Sequence, residues 1–341
     1  MLNRILVPLD GSSQSESALP LAARLARAEG SQVVLVRAIR ALAEVEMGVV
    51  SAEGWAPAVD PKERDEATAY LNEVAQGEVL SGVAVQTVIA TGPAAAAILA
   101  VANKQRIELI VMTSREREGL SRWLLGSVAR QVAREAAVPA LVLRVANGKL
   151  VAPAASSLER GTSWSALVAL DGSALAESAL VPATQLITEL SAPAPTTLNL
   201  LRVVELVPTL GTTPYALGVP GGFGLADDLY TGAMDEAQAY LNTIADHLRE
   251  QLAADHFAAD VRITTTALLS ADVAGTIAAI AEGRKATADA PVLAPSNLIA
   301  VATHGHGGLK RLILGSVTER LLDSTALPVL VAPSEAAATE G

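Results

Sequence analysis

The stretch Arg4-Ile5-Leu6-Val7-Pro8-Leu9-Asp10-Gly11-Ser12 decides the fold: an apolar run ends in an acid, a glycine and a serine, and an amphipathic segment follows. That order of residue types fits a buried strand turning sharply into a capped helix. The ending returns 161 residues later as Leu170-Asp171-Gly172-Ser173, and Glu16-Ser17-Ala18-Leu19 returns as Glu177-Ser178-Ala179-Leu180. Two more blocks repeat in the same order. Asp65-Glu66-Ala67-Thr68-Ala69-Tyr70-Leu71-Asn72 matches Asp235-Glu236-Ala237-Gln238-Ala239-Tyr240-Leu241-Asn242 at an offset of 170, and Leu125-Gly126-Ser127-Val128 matches Leu314-Gly315-Ser316-Val317 at 189. The chain is therefore two copies of one unit. The growing offset marks insertions in the second copy, after Glu205 and around Arg284 to Ser296, where surface loops absorb them cheaply.

The 341 residues thus divide into a domain over 1–146, a polar and Ala-rich linker over 147–162, a second domain over 163–334 and a tail over 335–341 expected to be disordered. Within the first copy, short apolar runs alternate with longer amphipathic ones. Strands are predicted at Arg4–Leu9, Gln32–Ile39, Ala84–Ala90, Leu109–Thr113 and Ala140–Arg144. Helices are predicted from about Gln14 to Glu29, about Pro61 to Gln76, Ala94 to Asn103 and Ser127 to Ala136. In the second copy the strands fall near Ala166–Leu170, Leu198–Val204, Val261–Thr266, Leu298–Thr303 and Val329–Ala332. Strands apolar on both faces, alternating with helices, predict an α/β protein of two tandem Rossmann-like domains. Each is a five-stranded parallel sheet flanked by helices, with ligands at the carboxyl ends of the strands where the strand order reverses.

Composition removes several classes of function. With no Cys there is no disulfide framework, thiolate zinc site or thiol nucleophile, and a reducing cytoplasm is the expected compartment. Lys and Arg total 25 against 36 Asp and Glu, a net charge of −11, which disfavours nucleic acid and anionic lipid as partners. Mean hydropathy is +0.38, but the surplus is spread in short runs. The longest uncharged stretch, Leu206 to Ala226, is broken by Pro208, Pro214 and Pro220 and reads as a loop rather than a membrane span.

The densest constellation follows the fourth strand of the second copy: Ala302-Thr303-His304-Gly305-His306-Gly307-Gly308, then Leu314-Gly315-Ser316-Val317. A strand that ends in a glycine loop and re-enters at a Gly-Ser helix start offers unpaired amides, a hydroxyl and the positive end of a helix dipole, which suits phosphate. Glycines that merely turn the chain are the plainer alternative. Asp171, at the end of the first strand, is directed toward the same crevice. Its carboxylate could meet ribose hydroxyls or a phosphate-bound metal, or cap the following helix as an Asx-turn, and the roles are compatible.

This pattern resembles the universal stress protein family, whose nucleotide-binding members carry Gly-x2-Gly-x9-Gly-(Ser/Thr) after the fourth strand. The second copy matches at Gly305, Gly315 and Ser316, with Ala302 in place of the first glycine. The resemblance spans nearly the whole chain, twice. It implies ATP or another adenine nucleotide as ligand, with phosphates at Gly305, Gly315, Ser316 and Val317. Ribose would lie near Ala302 and Asp171, and adenine near Val203 and Ala169, with Val301 beside them. Magnesium would reach Asp171 only through the phosphates. It also implies that Ala140–Arg144 and Val329–Ala332 pair antiparallel, making the chain a pseudo-dimer. An unidentified protein partner is implied as well, and association of two chains stays open.

The first copy keeps Pro8, Asp10, Ala38, Gly126, Ser127 and Val128 at the corresponding positions, but Thr113 and Glu116 replace the first two glycines. A carboxylate where phosphate would lie adds repulsion and bulk, so this site is expected to be weak or empty for nucleotide. No Gly-x4-Gly-Lys-(Ser/Thr) is present, which excludes a P-loop NTPase at motif level. The leading expectation is a nucleotide-binding regulatory protein of the stress response. No evident residue orients an attacking water, His304 being the one weak candidate. The alternatives are a slow magnesium-dependent ATPase and a ligand-free interaction scaffold.

Overall fold

The computed structural model describes residues 2–41, 59–114, 125–146, 149–151, 161–206, 222–254, 261–286, 291–303 and 314–333. Two compact units divide between Leu158 and Glu159. In the first, the order is β1 (Arg4–Pro8), α1 (Ser13–Glu16), α2 (Leu19–Glu29), β2 (Gln32–Ile39), α3 (Pro61–Gln76), a 3₁₀ turn (Glu78–Leu80) and β3 (Ala84–Thr91). There follow α4 (Ala94–Lys104), β4 (Leu109–Ser114), α5 (Ser127–Glu135), β5 (Ala140–Ala146) and β6 (Lys149–Leu150).

Hydrogen-bonded neighbours run β3-β2-β1-β4-β5, all parallel. The chain steps outward from β1 to β3 and then returns to pair β4 against the other edge of β1. The reversal lies between β1 and β4, where the segments leaving the two strands run to opposite sides of the sheet and a crevice is expected at the carboxyl ends. The two-residue β6 adds an antiparallel step on β5, outside the expected parallel set: Val145 faces Leu150 and Ala146 faces Lys149.

The second unit repeats the plan with β7 (Ser165–Ala169), α6 (Ala174–Glu177), α7 (Leu180–Ser191), β8 (Thr196–Glu205), α8 (Gly222–Ala254), β9 (Val261–Ser270), α9 (Val273–Ala281), β10 (Leu298–Ala302), α10 (Ser316–Ser324) and β11 (Val329–Ala332). Its order is β9-β8-β7-β10-β11, again all parallel. The central strands β1, β4, β7 and β10 carry runs buried on both faces, such as Ile5, Leu6 and Val7, or Leu298 to Val301. Only a sheet covered on each side by helices accommodates such runs.

Two predicted features differ. The helix read from Gln14 to Glu29 is broken at Ser17 and Ala18 into α1 and α2. Pro20, in the first turn of α2, has no amide to give to Glu16 and its ring crowds that carbonyl, so the helix restarts with proline where it is tolerated. Ala174–Glu177 and Leu180–Ser191 show the same break, with Pro182 in the first turn of α7. The stretch read as a loop to Ala226 ends sooner, because α8 already begins at Gly222. The tail over 335–341 lies outside the described residues.

Candidate functional site

The first strand of each unit ends in the same turn. Asp10 Oδ1 accepts from the Ser12 amide at 3.0 Å and from its hydroxyl at 2.5 Å, while Ser12 caps α1 by accepting from the Ser15 amide at 3.2 Å. In the second unit Asp171 Oδ1 accepts from the Ser173 amide at 2.9 Å and hydroxyl at 2.6 Å, and Ser173 accepts from the Ala176 amide at 3.2 Å. The Asx-turn weighed for Asp171 is therefore formed, and Asp10 makes the same one. Between acid and serine, Gly11 and Gly172 sit at φ +86° and +90°, a left-handed conformation that favours glycine.

At the carboxyl ends of β1, β2 and β4 a cavity of about 300 Å³ opens in the first unit. Its wall takes Pro8, Leu9 and Asp10 from the end of β1, and Val36 and Ala38 from β2. Met112 and Thr113 of β4, Ala94 and Ile98 of α4, and Gly126, Ser127, Val128 and Ala129 at the start of α5 complete it with Ser12, Gln14 and Ser15. All six residues expected at the N-terminal site thus border one space. Among the wall residues that sequence reading missed are Gln14, Ser15, Ile98 and Met112. The last two lie in apolar runs that also read as core, so only the topology separates them from it.

One end of the cavity is polar. Helix α5 starts with Gly126 at the cap position and no side chain bonded to its first amides, so the helix presents backbone donors and a partial positive charge. A Cβ built on Gly126 would meet nothing within 4 Å. The glycine is thus not forced by crowding from the described residues, and its smallness leaves room beside the amides. Glu116, expected to block this end, lies outside the described residues.

In the second unit the corresponding residues hold the same places. Ala169 ends β7, Asp171 lies in the turn, Val203 is on β8, Val301 and Ala302 end β10, and Gly315, Ser316 and Val317 open α10. Helix α10 also begins on an N-cap glycine without a side-chain cap. The Gly315 amide donates to the Thr303 carbonyl at 2.8 Å, and the buried Thr318 hydroxyl donates to the Ala302 carbonyl at 2.9 Å. Together these bonds fix the helix start against the strand end. Gly305, His304 and His306 lie outside the described residues.

Behind each turn stands a polar cluster that the sequence motifs did not single out. The Arg37 guanidinium lies 4.9 Å from the centre of the Tyr70 ring, whose hydroxyl donates to Glu16 Oε1 at 2.8 Å. Arg202 lies 5.3 Å from the Tyr240 ring, which donates to Glu177 Oε1 at 2.9 Å. Burial, and then the bonded carboxylate, hold both phenols above their ordinary range. The signal was present, since both Glu–Tyr pairs fall inside the repeated blocks.

Comparison with known proteins bears on the same geometry. The universal stress protein family model matches twice, over residues 1–144 and 165–333. The chain belongs to the universal stress protein family. Two universal stress protein units in tandem account for the repeat, for the doubled sheet and for the paired turns. Universal stress protein YxiE of Bacillus subtilis is 28% identical over 148 residues, covering 42% of this chain and 100% of the relative. A universal stress protein of Methanocaldococcus jannaschii is 30% identical over 144 residues, covering 42% of this chain and 83% of the relative. Among solved structures, a universal stress protein from Archaeoglobus fulgidus matches with a TM-score of 0.59 at 20% identity, covering 98% of this chain and 99% of that one. No helix among the described residues is long and apolar enough to cross a membrane.

Proposed function

We propose that this tandem universal stress protein is a cytoplasmic regulatory protein of the stress response that binds an adenine nucleotide, ATP in the first instance, chiefly in its C-terminal half. The observation that carries the reading is convergence. Six residues, Pro8, Asp10, Ala38, Gly126, Ser127 and Val128, border a single cavity at the strand-order reversal, and their counterparts occupy the same strand ends and helix start in the second unit. A crevice of that kind, apolar along its walls with uncapped amides at one end, suits a flat base and a phosphate chain.

The C-terminal half is favoured because it retains Gly305 and Gly315, whereas Thr113 and Glu116 stand in for glycines in the N-terminal half. Asp171 would face the ribose, and the first amides of α10 would face phosphate. Among the described residues no group of three or more His, Asp or Glu could hold a metal ion. Magnesium would enter this site as a companion of the phosphates, with Asp171 the carboxylate assigned to it.

The test is mass spectrometry of whatever is released when protein purified without added nucleotide is denatured, joined to calorimetric titration with ATP. About one adenine nucleotide per chain is expected. Two equally tight sites would overturn the asymmetry, and no binding at all would overturn the reading. Single-turnover assays on the same protein, with Asp171→Ala and His304→Ala beside it, distinguish a binder from a slow ATPase: a binder loses affinity and has no turnover to lose.

A further inference from the structure

The two arginines behind the turns are placed by the strand register. The Leu170 amide donates to the Leu201 carbonyl at 2.8 Å, and Arg202 is the next residue on β8; the Leu9 amide donates to the Val36 carbonyl at 2.8 Å, and Arg37 is the next residue on β2. Side chains alternate along a strand, and Val36 and Ala38 border the cavity, so Arg37 between them points to the opposite face of the sheet. Arg37 is therefore off the cavity wall, and Arg202 holds the equivalent register position in the second unit. Each instead reaches the underside of the turn: a Cβ on Gly172 would come within 2.9 Å of the Arg202 guanidinium, and one on Gly11 within 3.5 Å of that of Arg37.

We propose that Arg202, held in place by Tyr240 and Glu177, is a positioning residue that fixes the Asp171-Gly172-Ser173 turn in the orientation that receives the sugar of a bound nucleotide. The proposal rests on the nucleotide reading above. The contacts form a closed circuit: the turn leads into α6, α6 carries Glu177, Glu177 accepts from Tyr240, the Tyr240 ring faces Arg202, and Arg202 packs beneath Gly172. Three segments far apart in sequence meet there. An apolar side chain would tie α8 to the sheet with less desolvation than a half-buried guanidinium and phenol. The polar choice instead sets a defined charge beneath a turn whose acid, in the first unit, borders the cavity as Asp10. The same quartet, Glu16, Arg37, Tyr70 and Gly11, recurs in the first unit although insertions have shifted the sequence spacing. The guanidinium is closer to its glycine in the C-terminal half, the half assigned the tighter site.

Calorimetric titration of the full chain with ATP and with 2′,3′-dideoxy-ATP tests this in wild type, Arg202→Met, Arg202→Lys and Tyr240→Phe. If Arg202 acts through the turn on the sugar hydroxyls, Arg202→Met weakens ATP by about tenfold or more, the scale of a lost hydrogen bond to a charged group, yet barely changes the dideoxy analogue. The two changes are then non-additive, as coupled groups must be. Arg202→Lys keeps the charge without the planar stack and is expected to recover part of the affinity. Tyr240→Phe should give the same pattern with a smaller loss. Equal losses on both ligands would mean that Arg202 only supports the fold, and undiminished ATP affinity in Arg202→Met would equally overturn the proposal. Should Arg202→Met fail to fold, the lysine and phenylalanine variants carry the same comparison. Absence of ATP binding by wild type removes the nucleotide reading and this inference together. Wild-type binding without the non-additivity removes the inference alone.

Discussion

The amide of Gly315 donates to the carbonyl of Thr303 at 2.8 Å, so the residue that opens α10 is bonded to the residue that follows β10. Eleven positions separate the two in sequence, and the glycine-rich motif lies among them. The first amides of α10 are therefore anchored to the end of β10 before any ligand arrives, which lowers the entropy that binding at this helix start must offset.

The same base is stapled by Thr318, whose buried hydroxyl donates to the Ala302 carbonyl at 2.9 Å. Thr318→Val keeps the shape and removes the donor. It is expected to cost about 0.5–1.5 kcal/mol in denaturant unfolding of the full chain. ATP affinity should fall with it, because the start of α10 loses its bond to β10.

Gly11 and Gly172 share a left-handed backbone but not the same surroundings. Gly11→Ala should cost about 1 kcal/mol for conformation alone, while Gly172→Ala adds a contact with a guanidinium that Tyr240 restrains and should cost about 2–3 kcal/mol. Thermal melts of both variants check the order. An equal loss in the two would mean that Arg202 moves aside freely.

Alkaline pH should loosen both units through Tyr70 and Tyr240. Each phenol is held protonated in the folded protein by burial and by its bond to Glu16 or Glu177, above the ordinary value of 10.0. The unfolded chain then releases these protons first. The stability they contribute is complete below about pH 10 and is lost as pH rises beyond it toward the raised folded values. Tyr70→Phe and Tyr240→Phe should flatten the fall in melting temperature above that pH. Absorbance titration of wild type should show these two phenols ionising late.

Gly126→Ala offers a control on the N-terminal cavity. Gly126 has an ordinary φ of −59° and an added Cβ meets nothing within 4 Å. The melting midpoint should move by no more than corresponds to about 0.5 kcal/mol. Any ligand of this cavity that approaches the α5 amides should lose affinity, and a large loss of stability instead would show that the glycine is needed by the fold.

Much of the architecture was legible in the residues. β2 and α3 fall at Gln32–Ile39 and Pro61–Gln76 as read, because the first is apolar at nearly every position and the second opens on Asp60-Pro61, a capping acid followed by a proline that suits a helix start. The helix break at Ser17 and Ala18 was harder, since the apolar period continues through it and only Pro20 and Pro182 betray the restart. The turn acids and the Gly-Ser helix starts were legible because the repeat marks equivalent positions. Ile98 and Met112 were not, because an apolar wall of a cavity and an apolar core have the same sequence pattern. Arg37 and Arg202 were missed for another reason: each follows the carbonyl that receives the amide of the turn after the first strand, a place that acquires meaning only when that turn is seen above it.

The parallel order of the first sheet also governs how it can be made. Ile5 pairs with Leu109, 104 residues further along the chain. At ribosomal rates of 5–20 residues per second, one edge of β1 waits about 5–20 s after emergence for its neighbour β4. During that interval an apolar strand lacks one of its native neighbours in the nascent polypeptide, and the second unit then repeats the wait with β7 and β10. Each unit is thus closed only by contacts of large sequence separation, formed after its fourth strand has been synthesised.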